Sequence, residues 1–336
     1  MLLTGLAERA TLGFHLTRAE AAAAMERLID PAAGDAERRA FLLAMNSRPA
    51  SAEELAGLAE ALRARAVPFP AVSRPLVDTC GTGGDGLHTI NISTGAAFVA
   101  AGAGAAVAKH GNRAVSSRAG SADVLEALGV PIGLEPAAAA RSLEEAGFAF
   151  LFAPRYHPAM AAMAPARKAL GVRTVFNLLG PLVNPARVRR QVVGIFDAGL
   201  LTIYAEALLA LGSERALVVR GSDGMDELSV CGTTRIVHAD PGNGVRETEI
   251  TPESVGLQRR AVSELAGGDA AHNARTLEAA LGGAPGAALD AVLFNAAGAL
   301  LAAGLADSLQ AGLDRARESV ASGAAMASLD KARRAR

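Results

Sequence analysis

The stretch Asp78, Thr79, Cys80, Gly81, Thr82, Gly83, Gly84, Asp85, Gly86 constrains this chain more than any other. It follows a short apolar run, Leu76 and Val77 after Pro75, and precedes a long apolar stretch beginning near Gly95, which Ser93 and Thr94 are placed to cap. A strand, a glycine-rich loop and a helix in that order bring backbone N–H groups close to a ligand, and the free amides and dipole of the helix favour an anion. The loop reads as an anion cradle. A tight turn whose glycines only permit positive φ is the other reading open at this point.

Two familiar phosphate motifs fail against it. Gly81, Gly83 and Gly86 satisfy G-x-G-x-x-G, but a dinucleotide site needs an acid about 20 positions later, and the next strand-like run ends in Lys109. Gly81 and Gly86 fit G-x-x-x-x-G-K-[ST], yet Leu87 and His88 stand where Lys and Ser or Thr are required.

At 336 residues with 51% hydrophobic content, the chain is long enough for two domains and a large core. A net charge of −1 removes the broad attraction that nucleic acid or anionic lipid needs, and the basic tail Lys331, Arg333, Arg334, Arg336 reads as a solvated helix end. Cys80 and Cys231 form neither a metal cluster nor a disulfide framework, which fits a reducing compartment. Glu8 and Arg9 precede any signal-like core, and the uncharged runs 95–108 and 291–306 are too short to span a bilayer. A soluble cytoplasmic protein is expected.

Residues 16–66 have helical periodicity, with capping boxes at Thr17/Glu20 and Ser51/Glu54. Val67, Pro68, Phe69 and Pro70 break it. From Pro75 onward, strand-like runs at 76–79, 105–109, 148–152, 191–196, 216–220 and 234–238 alternate with helices, as in parallel α/β folds. Helical sequence interrupts this alternation between Pro154 and Pro185, and residues 288–325 read as Ala-rich helices packed on the sheet. The expected division is a helical domain at 1–70, joined in space by about 155–187, and an α/β domain at 74–336.

Three further groups carry chemistry. Lys109, His110, Gly111, Asn112, Arg113, then Ser116, Ser117, Gly120 and Ser121, follow a strand-like run at the end where open α/β sheets hold ligands. A point charge, a bidentate fork and neutral donors together suit several phosphate oxygens. Asp226 beside Glu227 supplies hard oxygens that suit magnesium near a phosphate, with Asp85 in support, unless the pair is merely a solvated turn. Arg167, in the helical insertion near Lys168, Arg173, Thr174 and Asn177, could pair with a carboxylate or be a helix-surface charge. His88, His110 and His157 are scattered singly and read as polar loop residues.

Taken together, these segments resemble the anthranilate phosphoribosyltransferase family over nearly the whole chain. The carrying stretches are GTGGD at Gly81 to Asp85, NIST at Asn91 to Thr94, KHGNRAVSS at Lys109 to Ser117, GSAD at Gly120 to Asp123, HPAM at His157 to Met160, RTVFNLLGPLVNP at Arg173 to Pro185 and DELS at Asp226 to Ser229. Several ordered motifs are far more specific than any one of them. The resemblance implies transfer of a phosphoribosyl group from 5-phosphoribosyl 1-pyrophosphate (PRPP) to anthranilate with magnesium (Mg2+), in a homodimer of the nucleoside phosphorylase/phosphoribosyltransferase type.

By the same resemblance, PRPP would be held by Gly81, Gly84, Asp85, Thr89, Asn91, Ile92, Ser93, Thr94, Lys109, His110, Gly111, Asn112, Arg113, Ala114, Val115, Ser116, Ser117 and Ser121. Ser93, Asp226 and Glu227 would bind magnesium, and Gly81, Asn112 and Arg167 would meet anthranilate. Lys109 and Arg113 would be catalytic. Ile90, Ala119 and Met225 depart from the family pattern, and none removes a charge or donor. A pyrimidine nucleoside phosphorylase shares the glycine and lysine loops, but NIST, RTVFN and DELS favour the transferase. A nucleic-acid-binding relative would carry extra arginines in place of the glycine loop and acidic pair, whereas this chain keeps both.

Overall fold

A computed structural model describes residues 3–114 and 118–336. Seven strands form one sheet: β1 (Leu76–Gly81), β2 (Ala106–Gly111), β3 (Phe148–Phe152), β4 (Arg190–Gly194), β5 (Arg215–Gly221), β6 (Thr234–Asp240) and β7 (Gly244–Ile250). Their order is β3-β2-β1-β4-β5-β6-β7. β1 to β5 are parallel, whereas β6 and β7 run antiparallel to their neighbours.

Alternation along the strands divides the core. Val77, Val107, Phe148, Phe150, Val192, Leu217 and Val219 face one cluster, which includes Phe98, Val292, Phe294, Leu300 and Leu329 from the helices Ile92–Gly102, Ala287–Ala303 and Ala324–Arg333. Cys80, Val193, Ala216, Val218 and Val237 face the other, shared with Leu201, Tyr204 and Leu208 of the helix Leu201–Ala210. Helices thus cover both faces, as a mainly parallel sheet requires.

The four N-terminal helices, Leu3–Thr11, Arg18–Leu28, Asp35–Met45 and Ala52–Ala64, bury Leu6, Met25, Phe41, Leu55 and Leu58 in that second cluster. Met163, Val175, Phe176 and Leu179 of the insertion pack into it as well. Both expected capping boxes form, at Thr17/Glu20 and Ser51/Glu54.

Three local readings are corrected. β7 was not anticipated: its residues Arg246, Glu247, Thr248 and Glu249 give no apolar run, because it is an edge strand that pairs only with β6. β6 turns antiparallel because the segment between it and β5 holds no crossover helix. Ser93 and Thr94 are not caps: the helix Ile92–Gly102 starts earlier, from Asn91, so both lie in its first turn.

β1 lies between β2 and β4, and the chain works outward from it in both directions. That is the topological switch point of an open α/β sheet, where a crevice forms at the carboxyl ends of the strands. Gly81 and Gly194 face each other across it as register partners.

The N-terminal unit is stapled by one buried carboxylate. Glu54 accepts from Arg48 at 2.8 and 2.5 Å, from the Leu16 and Ser51 N–H groups at 2.8 Å each, and meets His15 Nδ1 at 2.9 Å. Burial alone would raise its pKa, but the hydrogen bonds from Arg48, Ser51, His15 and Leu16 outweigh it and hold the group at about 2. A depressed carboxyl stabilises the fold above its unfolded pKa and loses that contribution as pH falls through the folded value. Glu54→Gln is therefore expected to cost about 3 kcal/mol at pH 7. In urea unfolding, the gap between variant and wild type should shrink between pH 4.5 and pH 2.

Candidate active site

Three loops meet at the carboxyl ends of β1, β2 and β5. In the first, Gly83, Gly84 and Gly86 take φ of 65°, 84° and 80°, a conformation that only glycine adopts freely. Gly83 N–H donates to Asp226 Oδ2 at 2.9 Å. The N–H groups of Gly84, Asp85 and Gly86 have no partner among the described residues. Successive unpaired amides of this kind form an anion-binding concavity.

The second loop leaves β2. Lys109 is only 2% exposed, and its Nζ donates to the Thr79 carbonyl and, at 3.2 Å, to Ser93 Oγ. Asp78 is wholly buried beneath it, accepting from the His110 N–H at 3.3 Å and from Asn184 Nδ2 at 2.8 Å. Burial pushes Asp78 up to about 6 against the pull of Lys109. Beyond β2, Asp123 Oδ2 receives the N–H groups of Ala114 and Gly120 at 2.9 Å each, and Ser121 Oγ donates to the Asn112 carbonyl at 3.3 Å. Asn91 anchors the far side through Ala119 O at 3.2 Å.

The third loop follows β5. It crosses β4 where a Cβ on Gly194 would fall on the Asp226 carbonyl, and a Cβ on Gly81 would lie 2.7 Å from Asp226 Oδ2. Asn295 fixes the next turn by bonding both the N–H and the carbonyl of Leu228 at 2.9 Å. Glu227 Oε1 accepts the Ser93 N–H at 3.2 Å. Asp226 and Glu227 keep some surface open to the crevice, though protein surrounds them on most sides. Burial and the charge of Asp85 push Asp226 well up; burial and the charge of Asp226 push Glu227 well up, eased by Lys109. The carboxylates of Asp78, Asp85, Asp226 and Glu227 outnumber the cations Lys109 and Arg173 and leave the site short of positive charge.

Not every expected residue converges. Arg113 is turned onto the helix Ser121–Ala127, pairing with Asp123 at 3.0 Å and with Glu126 at 2.5 and 2.9 Å. Arg167 lies on the helix Ala164–Leu170 with its guanidinium 5.4 Å from the Phe176 ring centre. It has no acidic partner or hydrogen bond among the described residues, and burial lowers its pKa. Ile92 and Thr94 are buried in the first turn of their helix; Thr89 makes an isolated bridge to Ala266. Val115, Ser116 and Ser117 lie outside the described residues.

His110 and His157 are not polar loop residues. Both are buried, with ring centres 5.2 Å apart, and burial lowers them to about 3 and about 4. Arg173 is the main participant that sequence reasoning treated only as Arg167's neighbour. It donates to the Gly84 carbonyl, lies 4.7 Å from the Phe196 ring centre, and its own carbonyl accepts from Asn46 at 2.6 Å. Gly194 was also missed: it stands inside the strand-like run 191–196, and only the structure ends β4 there, beside β1.

The helical bundle domain of a glycosyl transferase family matches residues 5–66, and the α/β domain of a glycosyl transferase family matches residues 73–326. The chain is 51% identical over 328 residues to the anthranilate phosphoribosyltransferase of Moorella thermoacetica, covering 98% of this chain and 96% of that one. The crystal structure of the Thermus thermophilus enzyme superimposes with a TM-score of 0.93 at 44% identity, over 99% of both chains. The Saccharomyces cerevisiae enzyme in complex with PRPP and Mg matches with a TM-score of 0.88 at 28% identity, over 98% of this chain and 96% of that one. The switch-point crevice, its ordered loops and these likenesses agree: the chain belongs to the anthranilate phosphoribosyltransferase family.

Proposed function

We propose that this crevice transfers the phosphoribosyl group of PRPP to the amine of anthranilate, giving N-(5-phosphoribosyl)anthranilate and pyrophosphate, as a cytoplasmic step of tryptophan biosynthesis. The observation that carries this reading is the row of unpaired N–H groups at Gly84, Asp85 and Gly86 facing under-compensated Asp226 and Glu227, with Lys109 held beside Ser93.

PRPP lies along the glycine loop, the first turn Asn91, Ile92, Ser93, Thr94 and the loop from Lys109 to Ser117, with Thr89 and Ser121 at its margins. Losing pyrophosphate from the anomeric carbon builds negative charge on the leaving group and cationic character on the ribose, so donors aimed at the former lower the barrier. Lys109 is suited to this because it is buried, where its charge is little screened, and is fixed by Thr79 and Ser93. Arg113 stands at the rim and meets a phosphate oxygen by giving up its Glu126 contact.

Magnesium fits the residues present. Asp85 raises Asp226, and Asp226 with Asp85 raises Glu227, in a surplus of negative charge, and Ser93 adds a hydroxyl beside them. Among the described residues no group of three or more His, Cys, Asp or Glu could hold a metal by itself, which suits an ion that takes one or two carboxylates and completes its shell with phosphate oxygens and water. When bound, it neutralises charge on the departing pyrophosphate.

For the acceptor, Arg167 offers a half-buried guanidinium with no acid of its own to pair with anthranilate's carboxylate, while Gly81 and Asn112 border the amine end. An aromatic amine is already an uncharged nucleophile, so no strong general base is needed and positioning supplies most of the acceleration. Residues 1–70 with about 155–187 form the helical unit and 74–336 the PRPP-binding unit. Exposed Leu12, Phe14 and Leu43 on the former support a homodimer formed through those helices.

Anthranilate's fluorescence should fade only when PRPP and magnesium are both added; fading without PRPP, or none with both, would overturn the reaction. Arg167→Ala should raise KM for anthranilate by about tenfold to a hundredfold and leave KM for PRPP within about twofold. Unchanged KM and kcat/KM for anthranilate would remove its orienting role. Glu227→Gln should unfold no earlier than wild type without magnesium, since one of two repelling carboxylates is gone. It should also lose the rise in melting temperature that magnesium with pyrophosphate gives wild type.

A further inference from the structure

A cavity of about 630 Å³ opens at the amino-terminal ends of β1, β4 and β5, the opposite edge of the sheet from the catalytic loops. Strands of five to seven residues separate the two by roughly 15–25 Å. The cavity lies between the linker 66–76 and the segment 185–190, and its lining includes Arg63, Arg74, Arg187, Arg189 and Arg190 against one carboxylate, Glu214. Glu214 is already taken up by Arg189 at 3.0 Å and Arg190 at 3.1 Å. Among the described residues the Arg63 and Arg74 side chains hydrogen-bond only to carbonyl oxygens, of Leu182, Leu211 and Gly104. The Arg187 side chain has no hydrogen bond or ion pair among the described residues.

Two details show that this excess is held in place rather than dispersed. Burial and the nearby charge of Arg187 lower Arg63 to about 10 even though Glu60 pulls the other way, so those two cations repel. Arg187 also sits at φ 49°, in the left-handed region where glycine would be easier. The turn that fixes it there, Arg187 N–H to Asn184 O at 2.9 Å, belongs to the same Asn184 that binds Asp78 beneath the active site. Val67, Phe69, Val72, Leu76 and Val188 give the cavity an apolar wall.

We propose that this cavity is a second ligand site, separate from the transferase site, for a small phosphomonoester whose dianion meets the arginines and whose apolar body lies against Phe69 and Val72. Guanidinium groups suit a phosphate dianion because each offers two parallel donors. Bound there, the ligand joins the linker after the N-terminal helices to the start of β4, and through Asn184 touches the support of Asp78. The site does not depend on what the crevice at the other edge transfers.

The test is calorimetric titration of the full chain with phenyl phosphate, with pyrophosphate and magnesium saturating the transferase site. One molecule should bind per chain, about tenfold or more tighter than inorganic phosphate. Arg187→Gly, which removes the charge and relieves the backbone, should weaken phenyl phosphate by about tenfold or more, and Arg187→Lys by about threefold or less. Turnover without the probe should stay within about twofold of wild type in both variants. Absence of binding once the transferase site is filled, equal affinity for inorganic phosphate, or an Arg187→Gly affinity matching wild type would each overturn the proposal.

Discussion

The active site depends on one close approach. The loop after β5 can cross the end of β4 only because residue 194 has no side chain, since any Cβ there would occupy the Asp226 carbonyl. Parallel pairing of β1 with β4 sets Gly81 opposite Gly194, and that register brings the glycine loop and the acidic loop into contact through Gly83 N–H and Asp226 Oδ2. Without this pairing, the loop that carries donors for the anion and the loop that carries oxygens for the cation would not meet. Two glycines at the switch point therefore join a strand topology to a chemistry that needs opposite charges a few ångströms apart.

The charges gathered there are individually costly. Asp78 and Lys109 are buried and Asp226 and Glu227 largely so, and the acids sit well above their ordinary pKa because desolvation penalises the ionised form. The protein tolerates this by giving most of the polar atoms fixed partners: Asn184 and the His110 N–H on Asp78, Thr79 and Ser93 on Lys109, the Ser93 N–H on Glu227. Such a network is oriented before substrate arrives, which is what electrostatic stabilisation of a departing pyrophosphate needs. Residual excess negative charge is the property that makes the crevice a place for a divalent cation.

Features written as local residue patterns were legible in the sequence. The glycine loop, the Lys109 loop, the acidic pair and both capping boxes are short-range signals, and each lies where its pattern indicated. Features created by tertiary packing were not. His110 and His157 look like lone polar residues until the insertion folds over the end of β2 and buries them together. β7 lacks an apolar signal because an edge strand has little surface to bury. Ser93 resembled a cap, but its N–H goes to Glu227, 134 residues away, a pairing that local spacing could not reveal.

Arg113 and Arg173 show why residue type alone leaves a role undetermined. Both are arginines beside phosphate-type loops, yet Arg113 is held by two carboxylates on a neighbouring helix, while Arg173 has none among the described residues and instead grips the Gly84 carbonyl over the face of Phe196. A guanidinium shared with two acids offers an incoming phosphate a weaker net field than one bonded only to a neutral carbonyl. The Arg173 contact also fixes the orientation of the peptide that follows Gly84, whose N–H is one of the unpaired donors of the cradle. Because the Arg173 carbonyl is in turn tied to Asn46, the glycine loop is positioned from the N-terminal helices as well as from the sheet. The cradle is thus held by both parts of the chain.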